Sequence, residues 1–81
     1  MNLSSESMRM FKELCEEARM WDDNPFWTPE LTKQERGNMS DLSKKGLIQT
    51  EKSEDGLLTF ITDAGIEFAK TIGESVPERR W

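Results

Sequence analysis

The stretch that decides the fold is "LTKQERGNMSDLSKKGLIQTEKSEDGLLTFITDAG", from Leu31 to Gly65. Its first part has helix signals at both ends. Thr32 and Glu35 have the spacing of a capping box, and Gly46 can end the helix as a left-handed residue. These signals predict a helix over residues 33–45. Its apolar side is narrow, whereas its polar side is broad, so the helix should leave one side in solvent.

The second part of the stretch predicts a β-hairpin followed by a helix. Residues 47–52 and 57–61 read as strands, and the Asp-Gly pair between them favours the positive φ values of a tight turn. Thr62 can cap a last helix, which places Ile66, Ala69 and Ile72 on one face and ends near Gly73. The hairpin therefore lies between two helices.

An amphipathic helix precedes this stretch. Ser4 or Ser5 can cap it, and Asp22 to Pro25 end it. Its apolar positions recur at steps of three and four: Met8, Phe11, Leu14, Cys15, Ala18 and Trp21. Residues 26–29 read as an extended linker with Phe26 and Trp27 buried. One core is predicted to contain Phe11, Leu14, Met39, Leu42, Ile48, Ile61 and Ile66.

Composition excludes most catalytic chemistry. The 81 residues include one cysteine and no histidine, so an internal disulfide, a Cys/His metal site and histidine catalysis are excluded. No phosphate-binding glycine motif is present. Cys15 lies on the apolar side of the first helix and reads as a small buried hydrophobe. We therefore expect no enzyme activity, no catalytic residues, no metal and no cofactor.

The chain reads as a globular protein outside the membrane. It is 35% hydrophobic and 33% charged, and no apolar run approaches the roughly 20 residues that span a bilayer. The first residues, Met-Asn-Leu-Ser-Ser-Glu, lack the pattern of a secretion signal. These features predict no membrane partner and a cytoplasmic location.

The formal net charge of −5 is unevenly distributed. Within residues 32–46, Lys33, Arg36, Lys44 and Lys45 outnumber Glu35 and Asp41. The segments before and after this one are both acidic. The predicted polar helix is thus the basic part of an acidic chain.

The segments "SDLSKKGLI" and "ITDAG", with an acidic hairpin turn between them, resemble a winged helix-turn-helix domain. Similar patterns occur in the multiple-antibiotic-resistance regulator class and in small winged-helix proteins often encoded by bacteriophages. The resemblance covers about residues 28–69. It implies an α+β fold of three helices with a β-hairpin wing before the last helix. It predicts an abbreviated domain over 1–73 and a flexible tail over 74–81.

In that family the helix before Lys-Lys-Gly is the recognition helix and the hairpin is the wing. Here the resemblance implies a DNA-binding transcriptional regulator, prokaryotic or viral, that binds double-stranded DNA through residues 33–45. Gln34 and Arg36 would read bases, Lys33 and Lys44 would bind phosphates, and Gly37 would allow close approach. The full predicted set is Lys33, Gln34, Arg36, Gly37, Ser40 and Lys44. A single domain binds one half-site weakly, so the protein is expected to form a homodimer or to act with a partner.

Two departures from the family pattern support an alternative. The wing tip, residues 51–55, is acidic, and acidic groups repel phosphates. The stretch from Trp21 to Thr32 is also too short for a normal second helix, so one turn at residues 29–31 would replace it. The alternative function is an acidic winged-helix module that binds a basic host or regulatory protein.

The contact surface of that alternative would include Glu54, Asp55, Leu58 and Phe60. Strand alternation and the family pattern direct Thr59 and Ile61 into the core and Leu58 and Phe60 outward. The outward pair is then either covered by residues 26–27 or the tail, or exposed for a protein contact.

Overall fold

The computed structural model describes residues 3–22, 26–28, 32–54 and 56–77. Three helices and three strands alternate as α1 (Ser5–Trp21), β1 (Phe26–Thr28), α2 (Lys33–Lys44), β2 (Ile48–Ser53), β3 (Gly56–Ile61) and α3 (Asp63–Thr71). The strands form one antiparallel sheet in the order β1-β3-β2. The predicted α+β class, with three helices and a hairpin before the last one, is confirmed. The predicted extended linker contains a third strand.

The helices begin where the capping residues predict. The Ser4 hydroxyl accepts a hydrogen bond from the Ser7 N–H at 3.1 Å. At α2, Glu35 N–H donates to Thr32 Oγ1 at 3.2 Å and Thr32 N–H donates to Glu35 Oε1 at 2.9 Å, so the capping box is complete. α2 ends at Lys44, one residue earlier than predicted, and Gly46 follows with a φ of 76°.

β1 is attached to β3 by side chains as well as by its backbone. The strands pair from Phe26 opposite Thr59 to Thr28 opposite Leu57. The Thr28 hydroxyl donates to the Leu57 carbonyl oxygen at 2.7 Å and lies 3.1 Å from the Thr59 hydroxyl. Both threonines are buried, so these bonds satisfy groups that water does not reach. The single turn predicted at residues 29–31 lies outside the described residues.

One hydrophobic core joins the three helices and the sheet. The predicted core positions are confirmed, with Ile66 at its partly buried margin. Fully or nearly buried apolar residues are Met10, Phe11, Leu14, Cys15, Ala18, Met39, Leu42, Leu47, Ile48, Ile61 and Ala69. Phe11 and Phe68 meet edge to face with ring centroids 5.3 Å apart. The prediction that Cys15 is buried is also confirmed, and burial raises the pKa of its thiol to about 12.

The buried side of α1 differs from the predicted stripe at its ends. Ser7 and Met10 are buried, Met8 is half-buried, and Trp21 is 63% exposed. Trp21 belongs to the predicted apolar stripe, but it lies outside the buried side of the helix. Its indole N–H donates to Glu17 Oε2 on the preceding turn instead, at 3.2 Å. The core contacts of α1 thus end near Ala18, one turn before the helix does.

The loop after α2 is bonded to the start of α3. The Thr62 hydroxyl donates to the Gly46 carbonyl oxygen at 2.5 Å, and the Thr62 N–H donates to the Leu47 carbonyl oxygen at 3.1 Å. The same hydroxyl caps α3 by accepting from the Gly65 N–H at 3.0 Å. These bonds fix α2, the hairpin and α3 relative to one another.

The segment after α3 returns to α1. One guanidinium nitrogen of Arg19 donates to Glu74 Oε2 at 2.9 Å and to the Ser75 carbonyl oxygen at 2.7 Å. Val76 packs against the core. The predicted tail therefore begins with contacts to the domain, and residues 78–81 lie outside the described part. Across the described ranges, no helix has the length and apolarity to cross a membrane.

Candidate nucleic-acid interface

α2 buries one side and exposes the other. Met39 and Leu42 are its buried residues. All six predicted DNA-binding positions are exposed: Lys33, Gln34, Arg36, Gly37, Ser40 and Lys44. The broad polar side predicted for this helix is therefore in solvent.

A groove of about 290 Å³ runs between α2 and the β2–β3 hairpin. Its basic side chains are Arg36 and Lys44, and its polar lining is completed by hydroxyls from Ser40, Ser43 and Thr50. Buried Met39 and half-buried Leu57 are its apolar lining residues. Guanidinium, ammonium and hydroxyl groups are the side chains that bind phosphate oxygens, and among the described residues no carboxylate lines this groove.

The cations on the exposed side of α2 are available to a ligand. Lys33, Arg36 and Lys44 form no ion pair within the part of the chain that the structure describes. Lys45 differs, since its Nζ lies 2.6 Å from Asp41 Oδ1. Three cations therefore remain unneutralised on the exposed side of α2.

Gln34 does not lie with the groove residues. It lines a separate cleft between α1 and α2, together with Glu6, Arg9 and Glu13. At 3.6 residues per turn, positions 34 and 36 point roughly 200° apart around the helix. The two predicted base readers, Gln34 and Arg36, therefore lie on different sides of α2. Arg36, Ser40 and Lys44 are the predicted residues that the structure brings together.

The hairpin separates its charges onto two faces. Thr50 lines the groove, and Lys52 lies two residues further along β2, so strand alternation puts both on the same face. Glu51 lies on the opposite face, directly across from Leu58. The acidic tip predicted from the sequence combines residues of both faces. On the groove side, β2 contributes a lysine.

A polar network anchors the inner side of α2 to α1. The hydroxyl of Ser7, which is 2% exposed, donates to Asp41 Oδ2 at 2.7 Å. Lys45 donates to the other carboxylate oxygen at 2.6 Å. The hydrogen bonds from Lys45 and then Ser7 hold the pKa of Asp41 below its usual value.

Sequence reasoning missed Ser7, although a usable signal was present. Ser7 precedes Met10, Phe11 and Leu14 by three, four and seven positions, which places it on the buried side of α1. A buried hydroxyl on that side needs a polar partner on a neighbouring element. The network with Asp41 orients α2 from its inner side and leaves the groove side free.

The residues predicted for a protein contact are divided by the structure. Glu54 is exposed, Leu58 is half-buried, and Asp55 lies outside the described residues. Phe60 is only 8% exposed, so of the two alternatives left open for this residue the covered one holds. Trp27 was expected to be buried, but it is 47% exposed, because pairing with β3 places it on the sheet face opposite the α2 groove.

Comparison with known proteins gives no relative: no protein-family model, no curated protein and no solved structure matches this chain. Among the residues that the structure describes, no group of three or more Cys, Asp or Glu side chains could hold a metal ion. The arrangement that remains is the basic, hydroxyl-lined groove beside an exposed helix, and its chemistry suits a phosphodiester backbone.

Proposed function

We propose that this protein is a small winged-helix DNA-binding transcriptional regulator in which α2 enters the major groove. The observation that carries the proposal is the groove beside α2. It combines Arg36 and Lys44 with three hydroxyls, and none of its described lining residues carries a carboxylate, although the chain as a whole is acidic. Neutralisation of phosphates supplies most of the affinity of such proteins for DNA, so cations in this position matter most.

The dimensions of α2 fit this role. Twelve helical residues extend about 18 Å, and the major groove, roughly 12 Å wide, admits one α-helix. Lys33, Gly37, Ser40 and Lys44 recur at helical spacing along the solvent side. A Cβ at Gly37 would have no atom within 4 Å, so packing does not require a glycine there. Close approach of α2 to the bases accounts for it.

The hairpin acts as the wing in this proposal. Thr50 and Lys52 share the face toward α2, so this face can contact the backbone that flanks the recognition helix. Glu54 is exposed at the turn and repels phosphates, which limits the contribution of the tip. A second copy of the chain would supply the additional half-site contacts that one domain lacks.

An NMR titration with a mixed-sequence DNA duplex tests the proposal. At low salt we expect amide shifts in residues 33–44 on one side of the groove and at Thr50 and Leu57 on the hairpin side. The shifts should diminish steeply at physiological salt, because binding releases counterions from DNA. If no amide of α2 shifts at low salt, DNA binding is wrong.

Charge-matched variants then locate the surface. Lys33→Glu with Arg36→Glu should abolish binding, because the change replaces two cations of α2 with carboxylates. Arg9→Glu with Lys12→Glu changes the net charge equally on exposed positions of α1 and should have a much smaller effect. Glu54→Lys with Asp55→Lys should strengthen binding. If the α1 double variant lost as much DNA affinity as the α2 double variant, the effect would come from net charge and no specific surface would be indicated.

A further inference from the structure

One row of side chains crosses the sheet on the face opposite the α2 groove. Leu58 on β3 lies directly between Trp27 on β1 and Glu51 on β2. Directly paired residues point to the same face of a sheet, so the three side chains are neighbours. Trp27 is 47% exposed, Leu58 is half-buried and Glu51 is exposed. The row therefore presents an indole, an aliphatic surface and a carboxylate to solvent.

The carboxylate in this row is available to a cation. Glu51 forms no ion pair within the described part of the chain. The adjacent Lys52 points to the other face of β2 and leaves no cation beside Glu51 in this row. Negative charge on this face repels nucleic-acid phosphates, so the face is suited to a positively charged partner.

The spacing of the row suits an arginine side chain. Neighbouring strands lie about 4.8 Å apart, which puts the β1 and β2 positions about 10 Å apart across β3. The guanidinium group of arginine can stack on an indole and donate two parallel hydrogen bonds to a carboxylate, and the aliphatic stem of the side chain can lie on apolar surface. Trp27, Glu51 and Leu58 offer these three contacts in one line.

We propose that the Trp27–Leu58–Glu51 row is a docking surface for an arginine side chain in a basic segment of a partner protein. The surface lies on the opposite side of the sheet from the α2 groove. Binding of this partner and binding at the groove are therefore compatible in one chain. This inference is independent of the proposed DNA binding.

An NMR titration with two peptides of equal length and charge, one containing Gly-Arg repeats and one Gly-Lys repeats, tests the row. The arginine peptide should shift the Trp27 indole N–H and the amides of Leu58 and Glu51, and it should bind several-fold tighter than the lysine peptide. Equal affinities, with shifts spread over exposed glutamates of α1 such as Glu13 and Glu16, would overturn the proposal in favour of general charge attraction.

Two variants and one control show whether Trp27 and Glu51 form the contact with arginine. Glu51→Gln and Trp27→Leu should each weaken the arginine peptide by about tenfold, in line with a desolvated cation–π contact or charged hydrogen bond. Glu54→Gln removes the same charge at the exposed turn and should change the affinity less than about twofold. Glu51→Gln alters an exposed side chain and should not affect folding, so it tests the proposal even if Trp27→Leu destabilises the protein.

Further measurements test whether the row binds a second copy of the chain, and they distinguish this proposal from the proposed DNA binding. If the NMR signals of the row shift with protein concentration in the absence of peptide, the face is a self-association surface and the proposal is wrong. Glu51→Gln should leave the DNA-induced shifts of α2 unchanged, and Lys33→Glu with Arg36→Glu should leave peptide binding at the row in place. Each proposal can therefore fail while the other stands.

Discussion

Gly65 lies against the backbone of Leu47 so closely that no side chain fits between them. A Cβ at residue 65 would be 2.1 Å from the Leu47 carbonyl oxygen and 2.6 Å from Ile61 Cγ2. Gly65 is in α3 with an ordinary helical φ, so a glycine is needed here because there is no room for a side chain and not because of the backbone conformation. The first turn of α3 thereby rests on the loop that follows α2.

Gly65→Ala should destabilise the protein substantially. The nearest obstacle is a backbone oxygen, which cannot rotate away, so the variant must shift α3 or the loop at a cost of about 1–3 kcal/mol or more. In a domain of this size, each kcal/mol lowers Tm by about 4–8 °C. A thermal melt monitored by circular dichroism measures this decrease in Tm. A melt identical to that of the parent would contradict the close contact.

Gly37→Ala should have opposite effects on stability and on DNA binding. The added methyl group meets no atom within 4 Å, and alanine favours a helix over glycine by about 0.8–1 kcal/mol, so Tm should rise. The same methyl group should weaken DNA binding if α2 approaches the bases closely. Fluorescence anisotropy with a labelled duplex measures the affinity. A stabilised variant with unchanged affinity would place the DNA contacts elsewhere.

The strongest sequence signals concerned local structure. Thr32, Glu35, Gly46 and Thr62 predicted the helix ends because capping depends on residues a few positions apart. The pairing of β1 with β3 could not be predicted in this way. It depends on Thr28 meeting Leu57 and Thr59, which are 29 and 31 positions away.

The same distinction applies to the candidate surfaces. The exposure of the basic positions on α2 followed from helical periodicity, and strand alternation could also have separated Lys52 from Glu51. The exposure of Trp27 depends on the pairing of β1 with β3, so local patterns missed it. The DNA-binding role itself remains a prediction.

Asp41→Asn should change how stability depends on pH. The folded pKa of Asp41 is lowered by Lys45 and Ser7, so its contribution is complete above the unfolded pKa of about 3.9. The contribution is lost as pH falls through the lower folded value, because protonation weakens both hydrogen bonds. Urea unfolding from pH 7 to pH 2 should therefore show the parent losing its advantage over the variant below about pH 4.

The control for this prediction is Glu67→Gln, which removes a carboxylate from an exposed pair with Lys70 on α3. Its unfolding free energy should follow that of the parent closely, since exposed pairs contribute little. A difference between the parent and Asp41→Asn that stays constant from pH 7 to pH 2 would show that the carboxylate charge is unimportant to the network.

Truncation after Gly73, the predicted domain boundary, should destabilise the fold. The shortened chain loses the Arg19–Glu74 ion pair, the bond to the Ser75 carbonyl and the packing of Val76. Together we expect a loss of about 1 kcal/mol and a Tm decrease of about 4–8 °C. A chain ending at Pro77 keeps these contacts and provides the control. Equal melting of the two truncated chains would contradict a structural role for residues 74–77.

The strand order β1-β3-β2 also has a consequence for the sequence of folding events. The β2–β3 hairpin closes across a turn of two residues and can form early, because short loops cost little entropy. Addition of β1 must close a loop that spans all of α2. The face carrying Trp27 is thus completed only after α2 has formed within that loop. Hydrogen-exchange labelling during refolding should therefore show early protection of the β2–β3 hairpin and later protection of the bonds between β1 and β3.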